Sequence, residues 1–340
     1  MAHKIRDAGC TDPRDFISRA EIITVEDVLK ADAARKAELA SAVSERAAMN
    51  KIVKSSIGKK NIASLRKTDF AKLKKEWEAE GLANSSISKY LSSLRSAVNE
   101  AIADKALDPK QVIKIPEYRK QVNRDVEEQK GANVTPKEIA AIFDNLKHAH
   151  ARLAYFWLLN TGARVGAVLD LKGNQIDYKN GLIDLNPKGR TQNNKFRPIQ
   201  PLSTIAIKWS SMLELPKGPL IQYRGKQVRS MKNAMRGAIR KAGLSQQINT
   251  YSIRYAMAAH LRKHGIATEQ IALFLGHSQP NRRYRITQGY APFPEDYLKN
   301  LVPVIDEFIL EIDSHSSRKL IVPDEWIANY IERLKDIEIV

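Results

Sequence analysis

The chain has 340 residues, of which 43% are hydrophobic, so it can form the cores of two ordinary domains and is not largely disordered. Its 56 Lys and Arg against 38 Asp and Glu give a net charge of +18, which favours a polyanionic partner such as nucleic acid. A single cysteine, Cys10, excludes an intrachain disulfide and a cysteine-based metal site. The first residues lack an apolar run and no stretch is apolar enough to span a membrane, so we expect a cytoplasmic protein without a membrane partner.

The first half of the chain predicts a polar arm followed by a helical domain. Residues 1–21 are polar and mixed in charge, and helical spacing of apolar residues begins at Thr24. One clear helix follows Gly81, with Asn84 or Ser85 as its expected cap. We therefore predict a helical domain over residues 22–118 and, because residues 119–132 show no period, a linker there.

The second half predicts a larger, mainly helical domain over residues 133–312. Thr135, Pro136 and Glu138 form the pattern of a capping box at its first helix. Residues 151–172 are apolar and helical, whereas residues 174–202 contain turn signals between short apolar runs and predict short strands. Helices return from about residue 203 to the end of the chain.

Residues 313–340 predict a helical tail with an acidic character. From Pro303 onward the chain has nine acidic and four basic residues, unlike the basic remainder. Pro323 and the two acids after it suit a helix start, and an apolar face follows. The face could pack on its own domain, but we favour docking on a neighbouring protomer, because acidity suits a basic protein surface and not DNA. Truncation after Ser317 should then weaken cooperative assembly and recombination and leave binding of a monomer to a single site largely unchanged. The face contains Trp326, Ile327, Tyr330, Ile331 and Leu334.

Three motifs in the second domain contain residues suited to phosphate chemistry. The segment Thr-Gly-Ala-Arg ending at Arg164 puts an arginine after a glycine turn at the end of an apolar helix. Arg254 lies in a second helical segment, and Leu-Gly-His ends a third at His277. An arginine can bind two phosphate oxygens with its forked guanidinium, and a histidine after a turn can direct a ring nitrogen into a site.

In their order and spacing these motifs resemble the tyrosine recombinase family, and especially its phage-type integrases. That family has an arginine in Thr-Gly-x-Arg, a lysine in a β-hairpin, a second arginine, a Leu-Gly-His and a downstream tyrosine. The corresponding residues here are Arg164, Lys195, Arg254, His277 and Tyr290. The resemblance is close over about residues 135–300 and looser over 24–118.

The resemblance implies a mainly α fold with a small antiparallel β-sheet, in which two domains form a C-shaped clamp on DNA. It implies that Tyr290 attacks a DNA phosphodiester, while Arg164 and Arg254 neutralise its oxygens. Lys195 would protonate the leaving 5′-oxygen, and His277 would hydrogen-bond the phosphate or help move the proton. No cofactor or metal is expected, so cleavage should not respond to EDTA.

Three positions depart from the family pattern. Tyr251 replaces the histidine that usually precedes the second arginine, and a phenol is a much weaker base than imidazole near pH 7. Ala167 replaces a common acidic residue. Tyr290 lies four residues further from His277 than usual, which leaves Tyr284 as a rival nucleophile. Tyr251 is nevertheless kept among the candidate catalytic residues.

The identity of the hairpin lysine is also open, because the hairpin is enlarged relative to the family pattern. Aligning the second strand favours Lys195, and Lys188 in the preceding turn is the alternative.

Partners also follow from the resemblance. These are a double-stranded DNA attachment or recombination site, three further copies of the chain in a tetramer on two such sites, and accessory DNA-bending factors. Strands would be exchanged through a Holliday junction. Two alternatives remain: a catalytically silent DNA-binding relative that acts as a regulator or accessory subunit, and a type IB topoisomerase.

Overall fold

The computed structural model describes residues 23–39, 41–117, 131–192, 195–277, 296–321 and 323–337. The chain divides into two compact units, Met1–Glu127 and Glu128–Val340, and each is described by itself. The domain boundaries drawn from the sequence remain predictions. Among the described residues, no helix combines the length and apolar character that crossing a membrane requires.

The described part of the first unit is a small helical domain around the buried side chain of Trp77. The last helix begins at Asn84 itself, with Ala83 as its N-cap and no capping side chain, so the expected cap at Asn84 or Ser85 is wrong. Its apolar spacing is confirmed, because Ile87 and Leu94 are fully buried. The helices are α1 (Val25–Arg35), α2 (Ala42–Val53), α3 (Lys67–Ala79) and α4 (Asn84–Ala103).

The second unit is built around an apolar helix, α6, whose described residues are almost all buried. The predicted capping box at Thr135 is confirmed, with Pro136 at the first helical position and Glu138 bonded back to the Thr135 backbone. The helices in the described residues are α5 (Pro136–Asp144), α6 (Ala149–Thr161), α7 (Val165–Leu169), α8 (Thr204–Met212), α9 (Lys232–Lys241), α10 (Thr250–Lys263), α11 (Thr268–Phe274), α12 (Leu301–His315) and α13 (Glu325–Ile337).

Short strands interrupt the helices between α7 and α9. Strands β1 (Ile176–Asp177), β2 (Leu182–Asp184) and β3 (Ile199–Pro201) form an antiparallel sheet in the order β1-β2-β3. Strands β4 (Gln222–Tyr223) and β5 (Lys226–Gln227) pair as a second, smaller antiparallel ribbon. The predicted mainly α fold with a small antiparallel sheet is therefore confirmed.

The C-terminal helix α13 packs on its own domain, whereas the sequence favoured a neighbouring protomer. Ile327, Ile331 and Leu334 are buried in the core of the second unit, where α13 lies against α6. The Tyr330 hydroxyl receives a hydrogen bond from the backbone N–H of Gln222 at 2.7 Å. An apolar face of this size is buried wherever a complementary surface is nearest, and this chain supplies one itself.

The start of the tail is also fixed within the same unit. The predicted boundary after residue 312 falls inside α12, whose buried Asp313 accepts a hydrogen bond from the backbone of Leu320 at 2.6 Å. Asp324, at the start of α13, pairs with the buried Arg152 of α6 at 3.4 Å. Trp326 is the exception on the predicted apolar face, because 62% of it is exposed.

Because this helix completes the core, truncation after Ser317 is expected to destabilise the second unit, and not only to weaken assembly. Ile331→Ala alone should lower the free energy of unfolding by about 2–5 kcal/mol, as large-to-small core changes do. Arg333→Ala, at an exposed position of the same helix, should change it by less than about 0.5 kcal/mol. Equal melting temperatures for the two variants would show that α13 is not held on this domain in solution.

Candidate functional site

Two glycine turns contact each other at the centre of the second unit. Gly162 ends α6 with a φ of 53°, and Gly276 follows α11 with a φ of 63°. A Cβ atom on Gly162 would lie 3.1 Å from side-chain atoms of Phe274 and Leu275. One on Gly276 would lie 2.6 Å from the carbonyl oxygen of Phe196 in the β2–β3 hairpin. Both positions therefore require glycine for backbone conformation and for space.

Arg254 joins these two turns from α10. Its guanidinium donates from Nη1 to the carbonyl of Gly162 and from Nη2 to that of Leu275, each at 2.5 Å. The side chain is buried, and burial together with the nearby Arg164 lowers the pKa of Arg254 to about 10. The group still carries its charge at pH 7, so the fold holds a buried cation at this point.

Arg164 follows the first turn and contacts the second. Its Nη1 donates to the carbonyl of Gly276 at 2.8 Å and to that of Phe196 at 3.2 Å. Among the described residues these bonds use one of its three nitrogens, so Nε and Nη2 remain available for a ligand. Two neighbouring cations repel each other, and an anion bound between them would relieve that repulsion.

His277 belongs to the same cluster. It comes directly after Gly276, and its backbone N–H donates to the carbonyl of Ala272 at 2.9 Å. Although much of the residue is exposed, burial of its ring lowers its pKa, and the charges of Arg254 and Arg164 lower it further. The imidazole is therefore neutral at pH 7 and can accept or donate a hydrogen bond.

Tyr251 lies three residues before Arg254, in the first turn of α10, where Asn249 caps the helix. It is 36% exposed and lines a cleft of about 260 Å³ together with Arg164 and Lys195. The structure thus brings Tyr251, Arg164 and Lys195 to one cavity.

The β2–β3 hairpin supplies the far wall of this cleft. Arg190 donates to the carbonyl of Lys195 at 3.3 Å, and Arg197 pairs with Asp170 at 2.6 Å. Lys195 lines the cleft, whereas Lys188 is not among its lining residues. Arg190 and Arg197 also line the cleft. Sequence reasoning did not single out these two arginines, although their basic charge beside the hairpin lysines was a visible signal.

The predicted nucleophile Tyr290 and its rival Tyr284 lie outside the described residues. Tyr297 packs against the core of the second unit. Ala167, which replaces a common acidic residue, is buried.

This cluster lies in a stretch that matches a known protein family. Residues 132–291 match the phage integrase family, and they contain every candidate catalytic residue. These residues form a phage integrase domain. The resemblance to tyrosine recombinases that the motifs indicated is therefore confirmed.

Relatives of the integrase domain agree with this assignment. Tyrosine recombinase XerC of Halalkalibacterium halodurans is 24% identical over 244 residues, which covers 64% of this chain and 75% of that protein. XerC of Chlamydia muridarum matches over only 40% of its own length.

Solved structures show that the fold extends beyond the integrase domain. The Tn1549 transposon integrase, in complex with a circular intermediate DNA, aligns with a TM-score of 0.59 at 15% identity, over 82% of this chain and 98% of that one. A lambda integrase tetramer bound to a Holliday junction aligns with a TM-score of 0.56 at 17% identity, over 76% of this chain and 77% of that one. At these identities the likeness concerns the fold alone.

Proposed function

We propose that the chain is a site-specific DNA recombinase that cleaves and rejoins strands through a 3′-phosphotyrosyl intermediate. The observation that carries the proposal is the cluster of Arg164, Arg254 and His277, in which two adjacent arginines are held by backbone carbonyls. Such a pair is suited to a phosphodiester, whose negative charge otherwise repels a nucleophile.

In the proposed reaction the Tyr290 hydroxyl attacks the phosphorus atom of the scissile phosphate. A bond forms between the tyrosine oxygen and phosphorus, the phenolic proton passes to His277 or to water, and the bond from phosphorus to the 5′-oxygen breaks. Lys195 gives a proton to the departing 5′-oxygen, while Arg164 and Arg254 stabilise the charge on the non-bridging oxygens. Attack by a 5′-hydroxyl reverses these steps and releases the tyrosine, so no external energy source is needed.

His277 is assigned a hydrogen bond to the phosphate in this scheme. Its lowered pKa keeps the ring neutral at pH 7, so it adds no third positive charge beside the two arginines. A neutral imidazole can donate from one nitrogen and accept at the other, which also suits it to moving a proton.

Recombination requires more than one subunit, and we propose a tetramer on two DNA sites with a Holliday junction between rounds of cleavage. The net charge of +18 supports binding dominated by phosphate contacts, which should weaken steeply with salt.

Trapping on a nicked DNA site tests the catalytic part of this proposal. A substrate that loses a short 5′-ended fragment after cleavage cannot be religated, so the covalent protein–DNA adduct should accumulate. The alternative is a catalytically silent DNA-binding relative, which would bind the site without forming an adduct. The replacements at Tyr251 and Ala167 are compatible with that alternative. Exchange between two copies of the target then distinguishes a recombinase from a type IB topoisomerase, which relaxes DNA and exchanges nothing.

Tyr251 is proposed to hydrogen-bond the scissile phosphate or to support an arginine, and not to act as a base. Tyr251→Phe should raise the activation free energy of cleavage by about 1–3 kcal/mol, the range for one lost hydrogen bond in a polar site. Tyr251→His should be tolerated or activating. Single-turnover cleavage measures both, with Tyr178→Phe as a control at another exposed tyrosine. Full activity in Tyr251→Phe would show that the ring only packs.

A further inference from the structure

A second cluster of chemically active side chains lies between α10 and α12. His260 lies on α10, His264 is the C-cap residue of that helix one turn later, and Glu307 lies on α12. One ligand atom from each residue can be chosen so that all three lie within 4.8 Å of one another. The cluster begins six residues after Arg254 on the same helix, or roughly 9 Å along its axis, so it is separate from the arginine pair.

The ring of His264 is oriented as metal-binding histidines are. Its Nδ1 atom is 2.9 Å from the backbone carbonyl of His260, and a carbonyl can only accept, so Nδ1 carries the proton. Its Nε2 atom lies 3.2 Å from the Glu307 carboxylate, which also only accepts, so either a second proton or a cation must lie between these two atoms. A backbone carbonyl that binds the distal nitrogen is the usual second contact of a metal-ligating histidine.

His260 presents a nitrogen to the same place. Its Nε2 atom is buried, and it has no hydrogen-bond partner among the described residues. The ring is held between His264, at 4.2 Å between centroids, and Phe308, at 4.9 Å. A buried nitrogen without a partner is unfavourable, and coordination to a cation would satisfy it.

We propose that His260, His264 and Glu307 form a binding site for a divalent transition metal ion, with Zn²⁺ as the best match. Two imidazoles and one carboxylate are a donor set that zinc binds, leaving a fourth position for another ligand. A water molecule can take that fourth position.

The metal would tie two helices that flank the predicted nucleophile in the sequence. Helix α10 contains Arg254, and α12 begins at Leu301, shortly after Tyr290. The metal ion would stabilise the packing of α10 on α12 and would not take part in phosphoryl transfer. EDTA should therefore lower the melting temperature and leave the cleavage rate of the folded protein unchanged.

Calorimetric titration of the metal-free full chain with Zn²⁺ tests the site, and Co²⁺ absorption spectra report its geometry. We expect one ion per chain, and His264→Gln and Glu307→Gln should each weaken binding at least about tenfold. Both side chains are partly exposed, so these variants should fold. Zinc should raise the melting temperature of the wild type and not that of His264→Gln.

His150→Gln is the matched control, because His148 and His150 form the other close pair of histidines among the described residues. This variant should bind zinc as the wild type does. If the wild type binds no zinc, or if His264→Gln binds it with unchanged affinity, the proposal is wrong. Loss of binding in His150→Gln alone would place the ion elsewhere and would equally overturn it.

Discussion

Tyr290→Phe is expected to abolish the covalent protein–DNA adduct while DNA affinity stays within a few-fold of the wild type. The phenolic oxygen forms the bond to phosphorus, and phenylalanine lacks that oxygen. Affinity, in contrast, comes mainly from contacts between basic side chains and the phosphate backbone, which this change leaves in place. Denaturing electrophoresis of a reaction on a nicked site measures the adduct, and a gel-shift titration measures binding.

Tyr284→Phe and Tyr297→Phe are the controls for this result. Both should retain adduct formation, because Tyr284 lies closer to His277 than the nucleophile of the family usually does and Tyr297 packs against the core. If Tyr284→Phe loses the adduct and Tyr290→Phe keeps it, the assignment of the nucleophile by spacing is wrong.

Replacement of either clustered arginine should give the second large effect. Arg164→Ala and Arg254→Ala are each expected to raise the activation free energy of cleavage by about 2.7–4 kcal/mol, the range for one lost oxyanion-type donor. The two should differ in stability. Removal of Arg254 leaves the buried carbonyls of Gly162 and Leu275 unpaired, at a cost of about 1–3 kcal/mol each, whereas Arg164 is only half-buried.

Arg254→Lys separates the loss of charge from the loss of shape. A lysine keeps the positive charge but has one nitrogen, so it cannot bind both carbonyls and a phosphate in the same geometry. The single-turnover cleavage rate and the melting temperature should both fall. Arg262→Ala, which changes an exposed arginine on the same helix, is the control. Cleavage at the wild-type rate in Arg254→Lys would contradict a forked contact with phosphate.

Much of the site could be predicted from local sequence because its key positions are short motifs. The turns at Gly162 and Gly276 follow apolar helices, so the position of Arg164 and His277 after them could be anticipated. The mainly α fold followed from helical periodicity in the same way. These features depend on residues close together in the chain.

Contacts between distant residues could not be predicted in this way. Nothing local to Arg254 indicates that it binds the carbonyl of a residue 92 positions earlier, nor that Glu307 meets His264. The tail shows the same limit, because an amphipathic helix reveals which face is buried and not which surface buries it. The contact of α13 with α6 in the structure shows that the apolar face of the tail is buried on its own domain.

The bonds of Arg254 also affect when the proposed activity can appear. Its two carbonyl partners lie 92 residues before it and 21 residues after it, so the arginine pair does not exist until three separate helices have docked. A partly synthesised or locally unfolded chain can still attract DNA through its charge, but it lacks the pocket that would activate a phosphate. Under the proposed function, stray nicking by incompletely folded molecules is prevented by the architecture of the domain, without a separate inhibitor.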